Sequence, residues 1–208
     1  MIYKRYPVLE CCRLSIEDAA EALIRCFETG GKLLICGNGG SSADSDHIVG
    51  ELMKGFLLRR PVGEELTEKL KKIGVDEYEA TVMTGKLQGA LPAVSLTSQT
   101  ALLSAFANDV DPEMVYAQMV YGYGRPGDLL LCLSTSGNSR NVVNAAKIAK
   151  ALDLTTIAMT GKDESALSRL CDITIRVPET ETYKVQELHL PVYHYLCARA
   201  EGHFFVIN

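Results

Sequence analysis

Residues 33–52 read LLICGNGGSSADSDHIVGEL, an apolar run that passes through glycines and hydroxyls into a helical pattern. The run at residues 33–36 has the continuous apolar character of a strand buried on both faces. In a parallel α/β sheet, ligands bind beyond the carboxyl ends of the strands, where loops enter helices. Glycines there let backbone N–H groups approach an anion, and the helix N-terminus favours negative charge. The stretch therefore predicts a strand–loop–helix unit, with either a ligand-binding or a purely structural glycine turn.

The same alternation of strand and helix continues along the chain. Apolar runs predict five strands, at residues 32–36, 91–96, 128–133, 155–159 and 173–177. Helical periodicity predicts helices at residues 14–27, 42–56, 100–108, 112–121, 141–152, 165–171 and 183–201. The connections between strands are long enough for parallel crossovers. These elements predict an α/β fold, with a five-stranded parallel sheet, helices on both faces and an N-terminal helix.

One segment, residues 61–88, breaks this alternation. It is rich in charge, lacks a strand-like apolar run and predicts one short helix at residues 64–73. We interpret it as an excursion inserted into a single domain that spans residues 1–208. It is either a lid or a solvated loop and helix without a chemical role.

Composition limits the class of protein. The chain has 208 residues, 47% of them hydrophobic, enough for one substantial core. Its net charge of −5, with dispersed cations, argues against a nucleic-acid partner. No stretch approaches the roughly 20 apolar residues that cross a bilayer, and residues 1–10 lack a signal pattern. The seven cysteines, without a CxxC pair, favour buried free thiols over a metal or redox role. We expect a cytoplasmic protein with no membrane partner.

A second loop repeats the arrangement of the first. Residues 129–143 read LLLCLSTSGNSRNVV, an apolar strand followed by hydroxyls, a glycine and a helix. Ser134, Thr135, Ser136 and Ser139 supply O–H donors at a helix N-terminus, which suits a phosphate dianion. Any one of these side chains could simply cap the helix. As a set, they favour phosphate binding.

Together these motifs resemble a known family. The segments GNGGSSADSDH…E, FANDV, LSTSGNS, MTGKD and VQELHLPVYH are similar to the sugar isomerase (SIS) domain family, and specifically to its phosphoheptose isomerase branch. The similarity spans residues 31–201, apart from 61–88. It implies a flavodoxin-like three-layer α/β/α sandwich that forms a homotetramer with sites at subunit interfaces. It also implies conversion of sedoheptulose 7-phosphate to glycero-manno-heptose 7-phosphate.

The resemblance implies a catalytic pair, Glu51 and His194, that moves protons through a cis-enediol. A carboxylate and an imidazole suit such acid–base work when their surroundings tune their pKa values. Without the motif, Glu51 would be interpreted as a surface glutamate and His194 as a core or interface histidine. The four-residue spacing of His47 and Glu51 places both on one helix face.

The resemblance also implies a zinc site with ligands at His47, Glu51, Gln186 and His194. Nitrogen and oxygen ligands of this kind are reasonable for zinc, although glutamine is an unusual one. Gln186 and His194 are eight residues apart, about 12 Å along an ideal helix. They can share a metal if long side chains converge, if Pro191 distorts the helix, or if different subunits contribute.

Further positions match the substrate-binding residues of the family. They are Asn38, Gly39, Gly40, Ser41, Glu51, Asn108, Asp109, Ser134, Thr135, Ser136, Ser139 and Gln186. Asp109 could equally cap the helix that begins at Pro112. Where the family commonly reads ELTGR, this chain has Met53, Lys54 and Gly55 after Glu51 and Leu52, so an arginine is missing. Lys54 or Arg59 could replace it, although lysine lacks the planar fork of arginine.

Other functions within the family stay open from the sequence. One is a non-catalytic protein that binds a replication initiator or senses a phosphosugar. Another is an SIS enzyme with a different outcome, such as a hexulose-phosphate isomerase or an etherase. The presence of both Glu51 and His194 favours the isomerase.

Overall fold

The computed structural model describes residues 2–205, in which five strands form one parallel sheet of order β2-β1-β3-β4-β5. The strands are β1 (Leu33–Gly37), β2 (Ala93–Ser95), β3 (Leu129–Leu133), β4 (Thr155–Thr160) and β5 (Ile173–Arg176). In the register of the sheet, Leu33 lies opposite Ala93 on one side and Leu129 on the other. The predicted α/β fold with a five-stranded parallel sheet is confirmed.

Every predicted helix is present, with ends shifted by a few residues. The helices are α1 (Ile2–Arg5), α2 (Arg13–Glu28), α3 (Gly40–Met53), α4 (Glu64–Lys72), α5 (Glu77–Lys86), α6 (Thr100–Asp109), α7 (Val115–Tyr123), α8 (Arg140–Ala151), α9 (Ala166–Leu170) and α10 (Thr182–Phe205). The helix expected at residues 112–121 begins as a 3₁₀ turn, Pro112–Met114, before α7. Short 3₁₀ turns are common at such helix starts.

The sheet is the middle layer of a three-layer sandwich. Successive side chains of a strand point to opposite faces, so β1 feeds two separate cores. Leu33 and Ile35 pack into the core formed with α2, α3 and α10. Leu34 and Cys36 pack into the core formed with α7 and α8. Because α3 and α10 lie on the same face, side chains from distant parts of the sequence meet there.

The cysteines are free thiols, as the sequence predicts. Five of the seven are buried, Cys171 is partly buried and Cys11 is exposed. Burial raises the pKa of the Cys197 thiol to about 12, which keeps it protonated and unreactive.

Within residues 2–205, no helix has both the length and the apolar character to span a membrane.

The segment at residues 61–88 forms a helical hairpin, so the prediction of one short helix was incomplete. Helices α4 and α5 pack against each other, and the hydroxyls of Thr67 and Thr84 hydrogen-bond at 3.0 Å. The side chain of Asp76 caps α5 by accepting from the backbone N–H of Glu79 at 3.0 Å. That aspartate, three residues before a glutamate, was the signal for a second helix start.

The hairpin leaves and re-enters the domain at one point. Pro61 and Gln88 form an antiparallel bridge, and the N–H of Gly89 donates to the carbonyl of Arg60 at 2.7 Å. The side-chain carbonyl of Gln88 also accepts from the N–H of Gly55 at 2.6 Å. No residue of α4 is buried. The hairpin is therefore an appendage with a closed base.

Candidate active site

The first predicted loop turns the chain from β1 into α3. Gly39 adopts φ +56°, a backbone conformation that glycine reaches without strain. Asn38, Gly39 and Gly40 are exposed, whereas Ser41 is buried in the first turn of α3. The carbonyl of Ser41 accepts from the hydroxyl of Ser45 at 2.8 Å. Of this group, Asn38 to Gly40 are open to a ligand and Ser41 is held within the helix.

The second predicted loop connects β3 to α8. The hydroxyls of Ser134 and Ser139 lie 3.1 Å apart, and the side chain of Ser139 makes no capping bond to α8. The side-chain oxygen of Asn138 accepts from Ala166 N–H at 3.0 Å, and its side-chain nitrogen donates to the carbonyl of Ser136 within the loop at 2.9 Å. A Cβ on Gly137, which has φ +64°, would lie 2.1 Å from the hydroxyl oxygen of Ser165. The turn therefore requires glycine, and it leaves the serine hydroxyls turned toward each other.

The two loops meet at the carboxyl edge of the sheet. The amides of Asn38 and Asn141 exchange hydrogen bonds of 2.9 and 3.0 Å. Gln186 of α10 reaches the same place, because a Cβ on Gly40 would lie 2.6 Å from its side-chain nitrogen. We call Asn38, Gly40, Ser134, Ser139 and Gln186 the loop cluster. The structure brings together here residues from three separate segments.

A second group lies where α3 packs against α10. His47 Nε2 is 3.1 Å from Glu51 Oε1, and His47 Nδ1 is 3.0 Å from the hydroxyl of Tyr193. Tyr193 also donates to Asp44 Oδ1 at 3.2 Å. The rings of His47 and His194 meet edge to face, with centroids 5.1 Å apart. We call Asp44, His47, Glu51, Tyr193 and His194 the helix seam.

The helix seam holds His194 neutral. Burial lowers the pKa of His194, and the nearby His47 lowers it further against the opposing effect of Glu51. Its Nε2 atom is buried without a hydrogen-bond partner among residues 2–205. A neutral imidazole with a free ring nitrogen can accept or relay a proton at neutral pH.

Asp44 is another titrating group of the helix seam with a shifted pKa. Burial raises the pKa of Asp44, and the bond from Tyr193 and the nearby His47 oppose that rise. The carboxyl is therefore easier to protonate than an ordinary aspartate.

The side of Glu51 away from His47 faces a lysine. Lys54 Nζ lies 3.8 Å from Glu51 Oε2. In the sequence, Lys54 directly precedes Gly55, the position at which the family commonly has its arginine. Arg59 lies elsewhere, in the wall of a concavity between the residue 55–61 loop and the end of α5. Of the two candidates for the missing arginine, Lys54 is the one beside Glu51.

A groove opens on the other side of the helix seam. Its volume is ≈ 320 Å³, and its lining includes His194, Phe56, Leu57, Arg5 and Tyr6. The ring of Phe56 lies 5.5 Å from the ring of His194. His194 is therefore reachable from solvent along a mixed apolar and cationic wall.

The four predicted zinc ligands are divided between the two groups. His47, Glu51 and His194 lie in the helix seam, but Gln186 lies beside Gly40 in the loop cluster. His47 follows Gly40 by seven residues, about 10 Å along α3. Among residues 2–205, no three His, Cys, Asp or Glu side chains are arranged to hold a metal ion. Helix α10 is continuous through Pro191, so Gln186 and His194 stay about 12 Å apart along its axis.

Asn108 and Asp109 lie on the opposite layer, at the end of α6. Both are exposed, and the amide of Asn108 donates to Asp109 Oδ1 at 2.8 Å. No hydrogen bond within the described part of the chain joins either of them to the loop cluster. Asp111, not Asp109, caps the turn at Pro112, because it accepts from Glu113 N–H at 2.8 Å. The capping alternative for Asp109 was therefore wrong.

Three polar residues of the site, Asp44, Tyr193 and Asn141, were not predicted from the sequence. Asp44 lies three residues before His47, on the same helix face, and this spacing was an available signal. Tyr193 and Asn141 gave none, because their partners lie more than 100 residues away in the chain.

Comparison with known proteins gives consistent matches along the chain. An SIS domain model matches residues 87–197, and a second SIS domain model matches residues 8–85. The phosphoheptose isomerases of Shewanella denitrificans and Shewanella frigidimarina are each 36% identical over 207 residues, which is 98% of this chain and 91% of those proteins.

Solved structures agree with these matches. A phosphoheptose isomerase from Neisseria gonorrhoeae is 32% identical with a TM-score of 0.71, over 90% of this chain and 85% of that one. A phosphoheptose isomerase from Francisella tularensis is 29% identical with a TM-score of 0.76, over 94% of this chain and 90% of that one.

Proposed function

The chain belongs to the SIS domain family, within its phosphoheptose isomerase branch, and on this premise we propose that it is an aldose–ketose isomerase of phosphosugars. Sedoheptulose 7-phosphate is the proposed substrate and glycero-manno-heptose 7-phosphate the product. The observation that carries the proposal is the meeting of His47, Glu51 and His194, which the fold brings together from helices about 140 residues apart. Such a group is suited to proton transfer.

The loop cluster is the proposed phosphate site. The paired hydroxyls of Ser134 and Ser139, with the exposed hydroxyl of Ser136, supply short O–H donors at the start of α8. The N-terminus of that helix adds favourable electrostatics for a dianion. Asn38 and Gln186 would bind sugar hydroxyls beside it. The remaining proposed substrate contacts are Gly39, Gly40, Ser41, Glu51, Thr135, Asn108 and Asp109.

The helix seam is the proposed site of chemistry. Isomerisation moves one proton between adjacent carbons and a second proton between their oxygens, through a cis-enediol. Glu51 and His194 are the proposed acid–base pair, with Glu51 taking the carbon-bound proton. Because its pKa is lowered, His194 is neutral near pH 7 and can carry the proton between the oxygens. The spacing of about 10 Å between Gly40 and His47 suits a long substrate with phosphate at one end and a carbonyl at the other.

We include zinc in the proposal only because side chains of the helix seam present donor atoms that suit it. His47, Glu51 and His194 offer nitrogen and oxygen ligands of a kind that zinc accepts, and the buried Nε2 of His194 has no partner within residues 2–205. Gln186 does not fit this set within one chain. A zinc ion bound there would supply Lewis-acid polarisation of the substrate carbonyl. Equilibrium dialysis of zinc against the wild type and His47→Asn tests the site without an activity assay.

The proposed assembly is a homotetramer with active sites at subunit interfaces. Several large apolar side chains are exposed in the single chain, among them Leu57 (68%), Val110 (66%) and Tyr121 (66%). These side chains are apolar surface that the proposed subunit interfaces would cover. The proposed domain organisation is one domain, residues 1–208, with the hairpin at 61–88 as an excursion. Seven free thiols support a cytoplasmic location.

A substrate panel tests the proposed function. Purified protein is incubated with pentose, hexose and heptose phosphates, and each aldose–ketose pair is followed by chromatography. We expect conversion of sedoheptulose 7-phosphate at the highest kcat/KM. Conversion of a hexulose phosphate instead would replace the proposed substrate and support the same isomerase chemistry. Phosphosugar binding by calorimetry with no conversion of any sugar would contradict the enzyme and support a sensor.

A further inference from the structure

The most completely buried ion pair among residues 2–205 lies just behind the helix seam. The side chains of Arg60 and Glu201 are 0% and 1% exposed, and Arg60 Nε donates to Glu201 Oε1 at 2.8 Å. Burial opposes ionisation of Glu201, but bonds from backbone N–H groups and from Arg60 outweigh it, so its pKa is lowered. The ring of Phe205 covers the guanidinium at 4.8 Å. A charged pair at this depth is costly to bury, and it needs several partners to be stable.

Arg60 uses its remaining nitrogens on the end of α3. Its Nη1 donates to the carbonyl of Leu52 at 2.6 Å, and its Nη2 donates to the carbonyl of Glu51 at 3.0 Å. The last four carbonyls of a helix have no partner within the helix. The guanidinium supplies donors to two of them. One belongs to Glu51, so Arg60 fixes the backbone that carries the proposed catalytic carboxylate.

Glu201 holds the loop that follows α3. Its carboxylate accepts from the N–H groups of Phe56 (2.8 Å), Leu57 (2.7 Å) and Leu58 (3.1 Å). Three successive amides thus converge on one carboxylate. The first of them belongs to Phe56, whose ring packs against His194. The same ion pair therefore supports both members of the proposed acid–base pair, Glu51 through its backbone and His194 through an aromatic contact.

We propose that Arg60 and Glu201 are positioning residues that hold Glu51 and His194 in register across the helix seam. The proposal rests on the proposed function, because it assigns these two residues a role in that reaction. Neither Arg60 nor Glu201 faces the groove beside His194. Their effect on the reaction is through Glu51 and Phe56, and it falls on turnover more than on substrate affinity.

A second ion pair, in which the carboxylate is buried, provides a control. Asp128 is 3% exposed, and it accepts from the backbone N–H groups of Lys32 and Arg125, each within 2.9 Å, and from Lys32 Nζ. It joins the amino-terminal ends of β1 and β3, at the edge of the sheet opposite the loop cluster. Asp128→Asn therefore removes a buried charge with backbone partners, and it has no path to the proposed chemistry.

The test compares Arg60→Lys with Asp128→Asn in the full-length protein. Lysine keeps the charge beside Glu201 but lacks the planar fork that reaches the Glu51 and Leu52 carbonyls. We expect kcat to fall about 10- to 100-fold in Arg60→Lys. We expect KM to change less than about twofold, since loss of a transition-state contact lowers kcat alone. Asp128→Asn should lose thermal stability and keep kcat. Equal losses of kcat in both variants would overturn the positioning role.

A readout independent of turnover accompanies the kinetics. Labelled histidine gives ring resonances for the four histidines, and His194→Gln assigns the one of interest. We expect the His194 resonance to shift in Arg60→Lys and to stay in place in Asp128→Asn. If the wild type turns over no phosphosugar, the proposed function fails, while this resonance still decides whether Arg60 positions His194. An unmoved His194 resonance would overturn the positioning of that residue.

If Arg60→Lys does not fold, Phe56→Leu still tests the link from Glu201 through Phe56 to His194. Phe56 is only partly buried, and this change leaves its backbone N–H on Glu201. We expect the variant to fold, to shift the His194 resonance and to lower kcat. Wild-type kcat together with an unmoved resonance would overturn the link from Glu201 through Phe56 to His194.

Discussion

The loop cluster and the helix seam are organised in different ways, although both include residues of α3. Ser134 and Ser139 are five residues apart, and each loop follows its strand directly. In the helix seam, His47 bonds to a tyrosine 146 residues away. The buried ion pair behind it joins Arg60 to Glu201 over 141 residues. The proposed phosphate contacts of Ser134 and Ser139 therefore come from local geometry, whereas the proposed acid–base geometry depends on how α3 packs against α10.

If this contrast is correct, a change in the helix seam affects turnover and leaves binding intact. We predict that Glu51→Gln lowers kcat about 10²- to 10⁴-fold, the usual range for loss of an acid–base group. Glutamine keeps the shape of the side chain, so the dissociation constant for the phosphosugar should change little. Quenched turnover assays measure kcat, and calorimetry on the same preparation measures the dissociation constant. A variant with wild-type kcat would remove Glu51 from the mechanism.

A second prediction concerns His189, which lies in α10 between Gln186 and the helix seam. It is fully buried, and burial lowers its pKa to about 4 against a weak bond to the carbonyl of Thr160. The unfolded chain binds a proton on this residue below about pH 6.5, but the folded chain does not until about pH 4. Stability is therefore present above pH 6.5 and is lost as the pH falls toward 4, by about 3 kcal/mol in total.

Urea unfolding between pH 7 and pH 4.5 measures this loss. His189→Gln should flatten the pH dependence of the free energy of unfolding. His203→Gln, which changes an exposed histidine, is the control and should leave most of the slope. If His189→Gln keeps the full slope, the pH dependence belongs to carboxylates such as Glu201.

Changes in the loop cluster should weaken substrate binding and leave turnover intact, the reverse of the effect expected for Glu51→Gln. We predict that Ser134→Ala weakens binding of inorganic phosphate and raises KM about tenfold, the effect of one hydrogen bond to a charged group. Its kcat should stay close to the wild-type value, because the group acts on a part of the substrate that does not react. Calorimetry with phosphate checks the binding step. A loss of kcat without a change in KM would contradict the division between the two groups.

The smallest effect on stability should come from the hairpin. We predict that replacing residues 62–87 by a short glycine-serine linker changes the free energy of unfolding by less than about 1 kcal/mol, because no residue of α4 is buried and loop-closure entropy depends only weakly on length. The bond between Gly89 and Arg60 lies outside the deleted segment and keeps the base closed. Thermal unfolding measures stability, and the sugar panel measures preference. Global unfolding of this variant would place the hairpin in the subunit interface or the core.

The same contrast explains how much could be predicted from the sequence. The strands and both loops of the proposed phosphate site follow from apolar runs and glycine-hydroxyl clusters, which are local signals. Helix α5 was missed although Asp76 marked its start, because its residues carry no apolar stripe. Helix rise places Gln186 and His194 about 12 Å apart, although the resemblance implies that both bind one metal.

Long-range contacts could not be predicted in this way. Nothing local to Arg60 or Glu201 marks them as partners, since each would be interpreted as an ordinary surface charge. Charged residues are rarely buried unless paired, and a single sequence does not show the pair. The roles of Glu51 and His194 came from family resemblance, and their neighbourhood came from the fold.

The central claim is enediol chemistry in the helix seam, and hydrogen exchange tests it most directly. Wild type, Glu51→Gln and Ser134→Ala are each incubated with sedoheptulose 7-phosphate in heavy water, and deuterium beside the carbonyl is followed by NMR. We predict deuterium incorporation by the wild type, none by Glu51→Gln, and incorporation by Ser134→Ala that recovers at high substrate. Incorporation by Glu51→Gln equal to that of the wild type would contradict a proton transfer through Glu51.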